Sequence, residues 1–107
     1  MAFYDLDKDE RTELVAGIEQ SILKDIKAQK SSSVIRYFSD EDTYIRKSAY
    51  QAVGKIYKQH AALRKPIVNL LENLFKNENE KIRQTVVNSA GEIGMSDYKV
   101  IGHLHRV

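Results

Sequence analysis

One twenty-residue pattern occurs twice in this chain, 37 positions apart, and any fold has to give the two copies equivalent settings. Phe38 to Tyr57 reads FSDEDTYIRKSAYQAVGKIY, and Phe75 to Gly94 reads FKNENEKIRQTVVNSAGEIG. Six positions are identical without a gap: Phe38/Phe75, Glu41/Glu78, Ile45/Ile82, Arg46/Arg83, Gly54/Gly91 and Ile56/Ile93. Others pair by chemistry, among them Asp40/Asn77, Asp42/Asn79, Ser48/Thr85 and Gln51/Asn88. A period of this length marks arrays in which each unit buries its apolar face only against its neighbours.

Each copy predicts a turn followed by a helix. Asp42 and Asn79 are suited to N-capping, because a short side-chain oxygen can accept from the free N–H groups of a first helical turn. Ile45, Ala49, Ala52, Val53 and Ile56 then share one face at helical spacing, and Ile82, Val86, Ser89, Ala90 and Ile93 repeat the stripe. Gly54 and Gly91 each cost about 1 kcal/mol relative to alanine inside a helix, so their recurrence points to a close backbone approach.

A further helix precedes each of these. Leu63, Ile67, Leu70, Leu71, Leu74 and Phe75 form an apolar face, with Pro66 in the first turn or at a kink. Ser33 to Phe38 is the shorter counterpart, with Val34, Ile35 and Phe38 inward. Ahead of both lies an amphipathic segment with Leu14, Ile18, Ile22 and Ile26 at four-residue steps, and Asp7 and Glu10 stand at capping-box spacing at its start. Ser96 or Asp97 would cap a last helix with Val100 or Ile101, Leu104 and Val107 inward. The expected architecture is all-α: one domain over 1–107, with an N-terminal helix in 1–30, a first repeat in 31–58, a second in 61–95 and the opening helix of an incomplete third in 97–107. One proline and five glycines among 107 residues leave few breakers to oppose it.

The layout resembles the HEAT repeat family, in which a helix A, a short acidic turn and a helix B beginning with an apolar-Arg pair recur. The residues that carry the resemblance are Asp42, Ile45-Arg46, Ala49, Ala52-Val53-Gly54 and Ile56, then Asn79, Ile82-Arg83, Val86, Ala90-Gly91 and Ile93. It covers about residues 31–107, and residues 1–30 match only as a generic helix. The resemblance implies an armadillo-like α-α superhelix of about two and a half repeats, with A helices on the convex side and B helices on the concave, partner-binding side. It also implies that Arg46 and Arg83 pair with acidic turn residues of an adjacent repeat. Two and a half repeats leave apolar end faces, so the chain is expected to self-associate through an end or to be part of a longer protein.

The functional expectation is a non-catalytic scaffold that binds a protein partner. Lys47, Gln51 and Lys58 lie opposite the first B-helix stripe, and Gln84, Asn88 and Met95 opposite the second, flanked by Tyr50, Tyr57 and Val87. The candidate contact set is Lys47, Tyr50, Gln51, Lys58, Gln84, Val87 and Asn88, since polar chains interleaved with tyrosine suit a protein interface. The plainer alternative is an ordinary solvated helix face. The cluster Lys55, Lys58, His60, Arg64 and Lys65 reads either as a phosphate contact or as charge complementing a helix C-terminus, and the second reading is favoured.

Charge is segregated, with six acidic and two basic side chains in 1–23 and ten basic and four acidic in 24–65. The basic middle suits an acidic partner but falls short of a dedicated nucleic-acid stripe. HEAT-like repeats also build glycosylases that excise alkylated DNA bases, which is the alternative reading; no aromatic pocket with an acidic catalytic residue stands out in its support.

No catalytic, cofactor or metal site is expected. The chain has no cysteine, and His103 and His105 do not share a helical face. Asp5 to Asp9 opens like a calcium loop, but Glu10 stands at the sixth position and Ala16 at the twelfth, where glycine and glutamate belong. With no signal peptide and no membrane-length apolar run, the expected compartment is the cytoplasm.

Overall fold

Asp7 starts the first long helix by a reciprocal pair of hydrogen bonds. Its Oδ1 accepts from the Glu10 N–H at 2.8 Å, and Glu10 Oε1 accepts from the Asp7 N–H at 3.1 Å. This box satisfies two donors that a helix start otherwise leaves open, with aspartate in the place usually held by serine or threonine. The computed structural model describes residues 3–94. After a 3-10 turn at Phe3–Asp5, the helices are α1 (Lys8–Ala28), α2 (Ser32–Phe38), α3 (Thr43–Gln59), α4 (Arg64–Leu74) and α5 (Glu80–Gly94), with a second 3-10 turn at Ala61–Leu63. The described residues contain no strand. The final helix expected in 97–107, with Met95, lies outside them.

The α1 chain reverses at Gln29, which adopts the left-handed conformation (φ 56°, ψ 41°) while the Lys30 N–H donates to the Asp25 carbonyl at 2.8 Å. Asp25 then performs a second task. Its buried carboxylate accepts from the N–H groups of Ser33 and Val34, at 2.8 and 3.2 Å. It thus caps α2 from the preceding helix, in place of Ser31, whose side chain makes no capping bond.

Five apolar stripes meet in one core. Ile18, Ile22 and Ile26 enter from α1, Val34 and Phe38 from α2, Ile45, Ala49, Val53 and Ile56 from α3, Ile67 and Leu71 from α4, and Ile82, Val86 and Ile93 from α5. The expected stripes are therefore inward in all five helices; Leu14, Ile35, Leu63, Leu70 and Phe75 pack against the core only partly buried. Helix α3 lies between α1 and α5, which are its most extensive partners, while α2 packs on α1, α3 and α5, and α4 packs mainly on α5. An ion pair between Lys55 Nζ and Glu19 Oε1, at 3.2 Å, also joins α3 to α1. Pro66 sits in the first turn of α4, where its missing N–H leaves no bond unmade.

The recurrent glycines are not equivalent. A Cβ added to Gly54 would fall 2.7 Å from the Glu92 Cβ of α5, so this glycine permits the α3–α5 approach. The close atom is a side-chain carbon rather than the expected backbone. At Gly91 nothing among the described residues lies within 4 Å.

Candidate functional site

The turns before α3 and α5 are built by the same contacts at the same offset. Asp40 Oδ1 accepts from the Asp42 N–H at 2.8 Å, and Asn77 Oδ1 from the Asn79 N–H at 2.9 Å. Asp42 Oδ1 in turn accepts from the Tyr44 N–H at 2.9 Å, and Asn79 Oδ1 from the Lys81 N–H at 2.8 Å. Each Asx side chain mimics a turn of backbone and satisfies a helix-start donor.

The two arginines complete these turns, and here the expectation is corrected. Arg46 Nη1 donates to the Asp40 carbonyl, and Arg83 Nη1 donates to the Asn77 and Glu78 carbonyls at 2.7 and 2.8 Å. Among the described residues each arginine therefore clamps the backbone of its own turn rather than a carboxylate of a neighbouring unit. A guanidinium offers several donors in a fixed fork, and a reversing turn presents several carbonyls to match it.

Helix α3 buries Ile45, Ala49, Ala52, Val53 and Ile56 on one side, and Ser48, Gly54 and Tyr57 with them. Opposite, Lys47, Gln51 and Lys58 are exposed, and Tyr50 is half-buried beside them. On α5, Gln84 and Asn88 are exposed and Val87 is 48% exposed. Gln84, Val87 and Asn88 line a shallow depression of about 470 Å3 together with Phe75, Glu80 and Arg83. The four α3 residues lie outside it, so the candidate set divides into an α3 strip and an α5 hollow. Phe75, expected on the apolar face with Ile67 and Leu71, is only partly buried, whereas its sequence counterpart Phe38 is fully buried.

Tyr57 is only 2% exposed and does not flank an open face. The Arg64 guanidinium stands 5.2 Å from its ring centre, while Arg64 Nε donates to the Tyr57 carbonyl at 2.9 Å. Arg64 Nη2 reaches the Lys58 carbonyl at 3.4 Å. In the basic cluster, then, Arg64 satisfies end carbonyls of α3 and Lys55 pairs with Glu19, which leaves Lys58 and Lys65 exposed.

A contact that sequence inspection did not find ties the N-terminal segment to α3. The Phe3 N–H donates to Asp42 Oδ2 at 2.6 Å, and the Tyr4 and Tyr44 rings meet edge to face at 4.4 Å. The Phe3 bond, with those from Tyr44 and Ile45, holds the Asp42 carboxyl below the usual carboxylate range against the opposing effect of desolvation. Asp7 is lowered in the same sense, chiefly by the Glu10 N–H.

Among the described residues no three His, Cys, Asp or Glu side chains are grouped to hold a metal ion, and no helix is long and apolar enough to cross a membrane. His103 and His105 lie outside those residues. What lies opposite the apolar stripes is an exposed surface of amides and ammonium groups with a half-buried tyrosine. In comparison with known proteins, no family model, no curated protein and no solved structure matches the chain.

Proposed function

We propose that this chain is a HEAT-type helical-repeat module, an interaction scaffold without catalytic activity of its own, which binds a protein partner through the exposed faces of α3 and α5. One observation carries the reading: the turn-plus-helix units 38–57 and 75–94 repeat the same Asx caps and arginine clamps, position for position. Lys47 and Gln84, like Gln51 and Asn88, thereby recur at matching phases of successive helices, both exposed in each pair. A stack of such units builds an extended surface from small per-unit contributions, the usual basis of binding in repeat proteins. Lys47 and Lys58, with Lys81 exposed on α5, favour an acidic partner. The lack of cysteine suits the reducing cytoplasm as its setting.

The test is affinity capture from extracts of the source cells with the native chain, the doubly reversed Lys47→Glu/Lys58→Glu variant, and a Lys24→Glu/Lys27→Glu control on α1. The reading expects a protein that the native chain and the control retain and the α3 variant loses. Retention by all three would overturn the proposed face. A gel shift with duplex DNA at physiological salt that Lys47→Glu/Lys58→Glu abolishes would replace the protein partner with nucleic acid.

A further inference from the structure

The turn between α1 and α2 stands away from the outer face of α4, and the two enclose a half-open cavity of about 380 Å3. Its floor is apolar, made by Ile26, Leu70 and Leu74. Its rim carries Gln29, Lys30 and Ser31 from the turn and Asn69 and Asn73 from α4. An apolar floor with a few convergent polar groups, in a volume of about 300–1,000 Å3, is the common form of a recognition site.

Three features narrow the occupant. No acidic residue lines the cavity, and Lys30 is the one charged residue that does. Asn69 and Asn73 stand one helical turn apart, their Cβ atoms about 5–6 Å from each other. That matches the roughly 6.5 Å between alternate residues of an extended chain, whose same-side peptide groups a carboxamide can meet with both a donor and an acceptor. Gln29, finally, is the one non-glycine residue of positive φ among the described residues. Glycine would make this helix stop with less strain, and the glutamine instead places a third carboxamide on the rim. An observed backbone outlier at a cavity wall is a recognised mark of use.

We propose that this cavity docks an extended segment of a partner protein in which an apolar side chain stands two residues from a carboxylate, on the same side of the segment. The apolar side chain rests on Ile26, Leu70 and Leu74, the Lys30 ammonium pairs with the carboxylate, and the carboxamides of Asn69, Asn73 and Gln29 hydrogen-bond the segment's main chain. This site is separate from Lys47 and Lys58 and stands independently of the function proposed above.

The test is an NMR titration of the whole 15N-labelled chain with the blocked peptide acetyl-Ser-Asp-Ser-Leu-Ser-amide and with its counterpart bearing Asn for Asp. Saturable shifts are expected at the amides of residues 26–31 and 69–74, with the Asn peptide about 3- to 5-fold weaker, as loss of one exposed ion pair implies. Asn69→Ala/Asn73→Ala should weaken binding about 10-fold while its thermal midpoint stays level or rises, since alanine favours the helix. Gln29→Gly should raise the midpoint and still weaken binding, a divergence that a purely structural role would not produce. Absence of saturable shifts, equal affinity for the two peptides, or shifts confined to 47–58 would each overturn the proposal. Lys47→Glu/Lys58→Glu should leave this titration unchanged, so the two surfaces fail or succeed separately.

Discussion

Gly54 on α3 and Glu92 on α5 stand so close that a methyl group on the glycine would fall 2.7 Å from the glutamate Cβ. That carbon is fixed by its own backbone and cannot swing aside as a flexible side-chain end would. Gly54→Ala should therefore destabilise the fold by about 1–3 kcal/mol, although helix propensity alone favours alanine. Gly91→Ala meets nothing among the described residues and should stabilise by up to about 1 kcal/mol. Urea unfolding of the two variants checks the contrast, and equal effects would contradict it.

Asp25 caps a helix to which it does not belong. Asp25→Ala leaves the Ser33 and Val34 N–H groups without their acceptor in a largely buried setting and should cost about 2–3 kcal/mol. Asp25→Asn keeps one acceptor oxygen and should cost clearly less. The comparison is read from chemical unfolding midpoints at unchanged slope.

The Thr85 hydroxyl lies 3.1 Å from the Phe38 carbonyl and 2.7 Å from the Lys81 carbonyl, so one hydrogen serves α2 and α5 together. Ser48, its counterpart, reaches only the Tyr44 carbonyl of its own helix. Thr85→Val should destabilise by about 1–2 kcal/mol, whereas Ser48→Ala should lie within about 0.5 kcal/mol of the native chain, since alanine's helix propensity offsets the lost bond. Thermal melts of the pair decide it.

The stability of the fold should fall in acid through Asp7 and Asp42. Both are depressed in the folded chain, chiefly by the N–H groups of Glu10 and Phe3 respectively. Their contribution is fully present above the unfolded value of about 3.9 and is lost as pH drops through the lower folded values. Urea midpoints measured from pH 6 to pH 2 should decline below about pH 4. Asp42→Asn should flatten that decline, because its capping bonds no longer depend on ionisation.

The starts of α1, α3 and α5 and the inward faces of the helices were legible in the sequence. Asp7 with Glu10, Asp42, Asn79 and the four-residue steps of isoleucine all act within one or two helical turns. The exposure of Lys47, Gln51, Lys58, Gln84 and Asn88 follows from the same periodicity, since what lies opposite an apolar stripe faces water. The hollow that joins Val87 to Phe75 was not legible, because Phe38 and Phe75 occupy the same place in the pattern and differ only in what covers them.

Sequence alone thus determined that the described residues are helical, where α1, α3 and α5 begin and which stripe each helix turns inward, because caps and amphipathic periods are properties of neighbouring residues. Tertiary structure alone decided the partners: Asp25 for the start of α2, own-turn carbonyls for Arg46 and Arg83, Asp42 for Phe3, and Glu92 for Gly54 but nothing described for Gly91. Those choices depend on how closely whole helices approach and on which polar groups each approach would strand. A pattern read along the chain carries no record of distances across it.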